Sequence, residues 1–157
     1  MIAPNKIVLH HTGDISKGPQ LNKVNEYHEL QFGMYSSLGY WVGYHVFIER
    51  NGTTIQTRKY YEEGAHTKGF NSIAIGIGLA GNFDFEAPTL EQLDAIEKVR
   101  KDFALYTRIT DVPITYHFSL ADTHCPGSYF NSNDWRRYIL TKRLNWLKQI
   151  LSWILKR

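Results

Sequence analysis

The run Ile73–Leu79 (IAIGIGL) constrains this chain more than any other segment. It carries no polar side chain, which marks it as a central strand. Its glycines, Gly76 and Gly78, and Gly81 just beyond, imply that something approaches the backbone closely. Other strands surround it in sequence. Lys6–His11 (KIVLHH) is a short apolar, β-branched run and reads as a buried strand. Tyr44–Glu49 alternates, and Asn51-Gly52 follows as a hairpin signal, so Thr53–Thr57 is the expected return strand. In that alternation Tyr44 shares a face with Val46 and Ile48, while His45 and Phe47 take the other. Ile114–His117 is a further short strand.

Helical periods lie between these runs. Pro19 to about Met34 carries Leu21, Val24, Tyr27 and Leu30 at helical spacing. Leu90 to about Tyr106 places Leu93, Ile96, Val99, Phe103 and Tyr106 on one face, with Thr89 as N-cap and Gln92 at the capping-box position. A final helix is expected over 135–155. Strands alternating with helices, plus one hairpin, predict an α/β fold with a mixed central sheet flanked by helices.

The chain has 157 residues, 43% of them hydrophobic, which fits one domain and excludes wholesale disorder. The single cysteine, Cys125, excludes an intramolecular disulfide framework. No run approaches the roughly 18 apolar residues of a membrane span. The N-terminal MIAPNKIVLHHTG lacks an h-region with a small-residue cleavage site, so the expected location at synthesis is the cytoplasm.

The net charge of +3 hides an asymmetry. Residues 136–157 hold 7 of the 18 Lys and Arg and none of the 15 acidic residues, leaving the rest of the chain acidic. Within this tail Leu140, Leu144, Leu147, Leu151 and Ile154 recur at helical spacing. Two readings stand: a helix packed on the sheet, or a basic amphipathic helix that meets an anionic membrane or outer-membrane surface.

The residues able to do chemistry cluster at predicted strand ends. His10 ends the first strand, His117 ends the last, and Cys125 lies in the loop beyond. Strand ends on one side of a sheet are where α/β folds place sites. Two imidazoles and a thiolate with a fourth position open suit Zn²⁺ in its hydrolytic arrangement. Spacing alone fits equally a core histidine, a strand cap and an inert thiol.

Four segments in order carry more. IVLHHT, GYHVFIERNGT, GAHTKGFNSIAIGIGLAGNF and a His followed by CPG after seven intervening residues span roughly 6–131. Together they resemble the zinc-dependent N-acetylmuramoyl-L-alanine amidase type 2 family, which includes short phage amidase lysozymes and peptidoglycan recognition proteins. The resemblance implies a zinc amidase domain over 1–134, with the basic amphipathic helix 135–157 as part of it. It implies zinc ligands at His10, His117 and Cys125 and catalytic residues at Tyr44 and Thr123. His66 matches a groove histidine of many members, and His45 and Trp41 join it as expected substrate contacts. The loops Tyr35–Trp41 and Tyr60–Phe70 would wall the groove. Many bacterial members carry a general-base Glu where this chain has Gly78, so the resemblance points to the branch that relies on Tyr44.

The expected activity is hydrolysis of the amide between the lactyl group of N-acetylmuramic acid and L-alanine, as in a phage endolysin. The alternative is a peptidoglycan-binding recognition module without activity. Peptidoglycan is the expected partner, nucleic acid is not, and the chain is expected to be a monomer.

Overall fold

The computed structural model describes residues 3–130 and, beyond them, positions 141, 144, 148, 151, 152, 154 and 155. The expected C-terminal helix and the boundary at 134/135 thus lie largely outside the described residues. Of its apolar stripe, Leu144, Leu151 and Ile154 are described, and all three are exposed. No helix among the described residues is long and apolar enough to cross a membrane.

Five strands form one sheet in the order β3-β2-β4-β1-β5. These are β1 (Lys6–His11), β2 (Val46–Ile48), β3 (Thr54–Gln56), β4 (Ala74–Leu79) and β5 (Ile114–Tyr116), with helices α1 (Leu21–Phe32) and α2 (Leu90–Thr107) in chain order between them. β4 runs parallel to both of its neighbours, β1 and β2, and β5 runs parallel to β1. β3 returns antiparallel to β2, which makes the sheet mixed as expected. The hairpin turns at Gly52, whose φ of 81° is a conformation that glycine adopts without strain and whose N–H donates to Glu49 O.

The sheet's faces differ. Ile7, Leu9, Val46, Ile48, Ile75, Ile77 and Leu79 pack with Leu93, Ile96, Val99 and Phe103 of α2 into the main core. Each such side chain, fully withdrawn from water, contributes about 1.5–3 kcal/mol. α2 begins as its sequence predicts: Thr89 Oγ1 accepts from Gln92 N–H, and the Gln92 side chain accepts from Thr89 N–H. The other face carries a smaller cluster of Val42, Tyr44, Phe47 and Ala80, against which Leu21 and Val24 of α1 rest.

Two expectations on this second face are corrected. Tyr44 clusters with Phe47, not with Val46 and Ile48. The ladder of β2 starts only at Val46, so the two-residue period does not extend back to Tyr44. On α1, His28 is the buried residue, at 5% exposure, whereas Tyr27 and Leu30 are 59% and 84% exposed. The inward line is Leu21, Val24 and His28, and an imidazole occupies the place that an apolar count gives to leucine. The helix start is also supplied from a distance, since the Glu49 carboxylate accepts the N–H groups of Gln20 and Leu21.

Candidate functional site

β1 and β5 are neighbours, with Leu9 opposite Tyr116. The next residues are His10, still in β1, and His117, which lies just past the end of β5 and opens a short 3-10 turn, so the parallel register brings the two imidazoles together. Their ring centroids are 4.5 Å apart. The loop after β5 returns Cys125 to the same place, where Phe118 N–H donates to Cys125 O. One ligand atom each from His10, His117 and Cys125 lies within 4.8 Å of the others. Cys125 Sγ sits 3.7 Å from His10 Nδ1 and accepts the His11 backbone N–H.

The electrostatics of this cluster suit a cation. Burial first, then the neighbouring His66 and His117, holds His10 well below the ordinary imidazole value, so its ring is neutral. Burial pushes the Cys125 thiol up to about 12. A divalent metal would offset that penalty and draw the thiol to its thiolate form. Two imidazoles and one sulfur at these separations fit a zinc ion with a fourth position free for water or substrate.

Tyr44 lies against the cluster, its ring 5.1 Å from that of His10. The ring covers β4 at Gly78, where a Cβ would come within 2.2 Å of Tyr44 Cδ2. A glutamate at position 78 and Tyr44 in this place therefore exclude each other. The glycine of IGIGL is the opening through which Tyr44 reaches the site. Gly76 does the same for His66, whose ring atoms would meet a Cβ there at 2.7 Å. The close approach implied by these glycines is made by the protein's own side chains. Burial, then Cys125, raises the Tyr44 phenol above its ordinary value, so it acts as a hydroxyl donor and not as a phenolate.

Thr123 Oγ1 accepts from Cys125 N–H at 3.2 Å, which shapes the ligand loop and leaves its own O–H free to donate. Trp41 is half-buried, meets the Tyr35 ring at a tilt of 53° with centroids 4.6 Å apart, and has its backbone N–H held by Asn25 Oδ1. A cavity of about 190 Å³ opens beside Tyr44, lined by Thr12, Asp14, Lys23, Tyr27 and His28 among others.

One expected substrate contact, His45, is placed otherwise. His45 is fully buried; its Nδ1 accepts from Gly76 N–H and its Nε2 donates to Glu62 O. With both nitrogens bonded to backbone, it supports the sheet and presents nothing to a groove. Burial lowers its pKa to about 4. His66 stands behind His10: its Nδ1 is 3.2 Å from His10 Nε2 and its Nε2 is 3.3 Å from Ala74 O.

Sequence reasoning missed three residues. Thr67 is buried with Oγ1 3.3 Å from His10 Nε2. Asn71 Oδ1 accepts the N–H groups of both His66 and Thr67 and holds their loop. His28 Nδ1 accepts from Gly43 N–H while its ring packs 5.0 Å from Tyr44. Only His28 left a local signal, its spacing of seven from Leu21.

A parallel-centred sheet that gathers two histidines and a cysteine beside a buried tyrosine defines a class, the α/β domains whose strand ends present a donor set able to hold a metal. The chain belongs to the N-acetylmuramoyl-L-alanine amidase family, which matches residues 2–128. It is 28% identical to a peptidoglycan-recognition protein SC2 of Drosophila melanogaster over 123 residues, covering 77% of this chain and 67% of that one. It is 32% identical to an endolysin of Enterobacteria phage K11 over 108 residues, covering 66% and 67%. Among solved structures, the N-acetylmuramoyl-L-alanine amidase LysC from Clostridium intestinale superposes with a TM-score of 0.72 at 31% identity, covering 88% of this chain and 86% of that one.

Proposed function

We propose that this protein is a zinc-dependent peptidoglycan amidase. It would cleave the amide between the lactyl group of N-acetylmuramic acid and L-alanine of the stem peptide, in the manner of a phage endolysin. The observation that carries this reading is the convergence of His10, His117 and Cys125 within 4.8 Å, with the Tyr44 ring against them.

In this reading His10, His117 and Cys125 hold the metal, which when bound supplies Lewis acidity to the scissile carbonyl and an activated water. Tyr44, kept protonated by its burial, donates to the carbonyl oxygen as negative charge grows there. Thr123 offers the free O–H of its hydroxyl from the ligand loop for the same purpose. Burial around Tyr44 and His10 excludes bulk water and strengthens those donations. The Tyr35–Trp41 pair gives an aromatic wall suited to sugar or peptide, and the cavity beside Tyr44 gives room for part of the stem. The basic segment 136–157 would draw the chain to anionic envelope surfaces.

The test is mass spectrometry of purified peptidoglycan after incubation with the protein, with and without a chelator. The expected products are stem peptides with a free L-alanine amine and glycans with a free lactyl carboxyl, both lost on chelation and restored by zinc. Binding to peptidoglycan with neither product formed would make the chain a recognition module instead.

A further inference from the structure

Behind the proposed ligands lies a chain of hydrogen bonds whose direction is decided at one end by a group that can only accept. Ala74 O, on β4, has no proton to give, so His66 Nε2, 3.3 Å away, carries the proton of that imidazole. A neutral His66 then has only a lone pair at Nδ1. That lone pair faces His10 Nε2 at 3.2 Å and Thr67 Oγ1 at 3.0 Å. Two lone pairs would repel, so His10 carries its proton on Nε2. The Thr67 hydroxyl, 3.3 Å from His10 Nε2, can accept that proton's bond and donate its own to His66 Nδ1. Either route leaves the same result: the free lone pair of His10 is on Nδ1, the atom 3.7 Å from Cys125 Sγ.

The supports of this chain are themselves rigid. Thr67 is 2% exposed, and Asn71 Oδ1 clamps the N–H groups of His66 and Thr67 at 2.9 and 2.8 Å. Gly76 leaves the space that the His66 ring fills. His66 is only partly exposed, and both of its ring nitrogens are engaged with the protein, which places it as a support for His10.

We propose that His66 and Thr67 are positioning residues that lock His10 in its Nε2–H tautomer and so aim its Nδ1 lone pair at the metal position. The inference rests on the zinc reading above for its purpose, although the tautomers themselves exist without metal. Outer partners of ligating histidines typically account for about 10–100-fold in metal affinity.

Long-range proton–nitrogen NMR of the histidine-labelled protein, zinc-free and zinc-loaded, reads the tautomers directly. The expected result is Nε2–H for both His10 and His66 in the zinc-free protein; on loading, the His10 Nδ1 resonance should shift along with the ligating nitrogen of His117, while His66 stays in place. A zinc-free His10 protonated on Nδ1 would overturn the proposal. Zinc affinity by chelator competition supplies the second arm. In His66→Asn the amide oxygen takes the place of Nδ1 and keeps the acceptor; in His66→Gln the amide nitrogen takes the place of Nε2 and keeps only the bond to Ala74 O. His66→Gln should bind zinc about 10–100-fold more weakly and shift the cobalt-substituted absorption spectrum, whereas His66→Asn should stay within a few-fold of wild type. The reverse order, or equal affinity in wild type and His66→Gln, would reduce His66 to a packing residue. A wild-type chain that binds no zinc would sink the metal reading, and the zinc-free tautomers would still decide this one. If both variants fail to fold, the zinc-free wild-type spectrum alone decides, since it reads the proton on His10 without any substitution.

Discussion

The two faces of β4 differ as much as any two regions of the molecule. Ile75, Ile77 and Leu79 point one way, into the main apolar core beneath α2, where the rule is to leave no gap. Gly76 and Gly78 lie on the other face and offer no side chain, so the rings of His66 and Tyr44 lie directly on the backbone. One face gains stability by filling space. The other gives up strand propensity, and the opening it leaves is what brings Tyr44 against His10 and His66 behind it. A six-residue strand therefore serves as the floor of the core and the floor of the candidate site, with the parity of the sequence keeping the two apart.

The largest expected effect lies on the site face. His117→Ala should abolish both stoichiometric zinc and peptidoglycan cleavage, because two donors rarely retain zinc at working concentrations. Zinc content by elemental analysis beside a lysis assay checks it, and wild-type lysis with zinc in place would remove His117 from the site. Next comes Tyr44→Phe, which keeps the ring over Gly78 and removes only the hydroxyl. Zinc and melting temperature should hold while activity falls about 10²–10³-fold, the usual loss of one oxyanion donor. Activity within a few-fold of wild type would leave Tyr44 as a wall.

A pair of substitutions on β4 tests the division itself. Ile77→Ala opens a cavity in the main core and should cost about 2–5 kcal/mol of stability, with zinc affinity and activity per folded molecule retained. Gly78→Glu must displace the Tyr44 ring and should lose activity well below its melting temperature. If Ile77→Ala disabled the folded protein as Gly78→Glu is expected to, the two faces would not be independent.

A further effect is on pH. Burial lowers His28 and His45 to about 4 each, and their unfolded values lie near 6.5. Below pH 6.5 the unfolded chain takes up protons that the folded chain refuses, so the contribution of these two groups falls as pH drops from about 6.5 to about 4 and changes no further beneath. The loss is on the order of 3 kcal/mol per group at most. Melting scans of the zinc-free protein between pH 7.5 and 4 read it directly. A flat profile across that window would mean that these rings are solvated.

Much of this architecture was legible in short stretches of chain. The Thr89–Gln92 capping box announced α2 at its first residue, and Asn51-Gly52 announced the β2–β3 hairpin. Both are local events, in which a few neighbouring residues satisfy one another's backbone groups. The glycines of β4 signalled a close approach, although the composition of the strand says nothing about what approaches. His10, His117 and Cys125 could be named through four ordered motifs, whereas their spacing alone was equally compatible with three inert residues.

The remainder depended on contacts between distant segments. His10 and Cys125 are 115 residues apart, and only the parallel pairing of β1 with β5 and the return of the following loop join them. Tyr44 lost its expected face because the regular ladder of β2 begins two residues later; just before it, Gly76 N–H turns to the His45 ring and not to the backbone. His45 and His66 have the same side chain and different work. Gly76 N–H and Glu62 O occupy both nitrogens of one, while the other links Ala74 O to His10. An imidazole's role is set by what its two nitrogens meet, and those partners come from other strands and loops, which no local run of residues encodes.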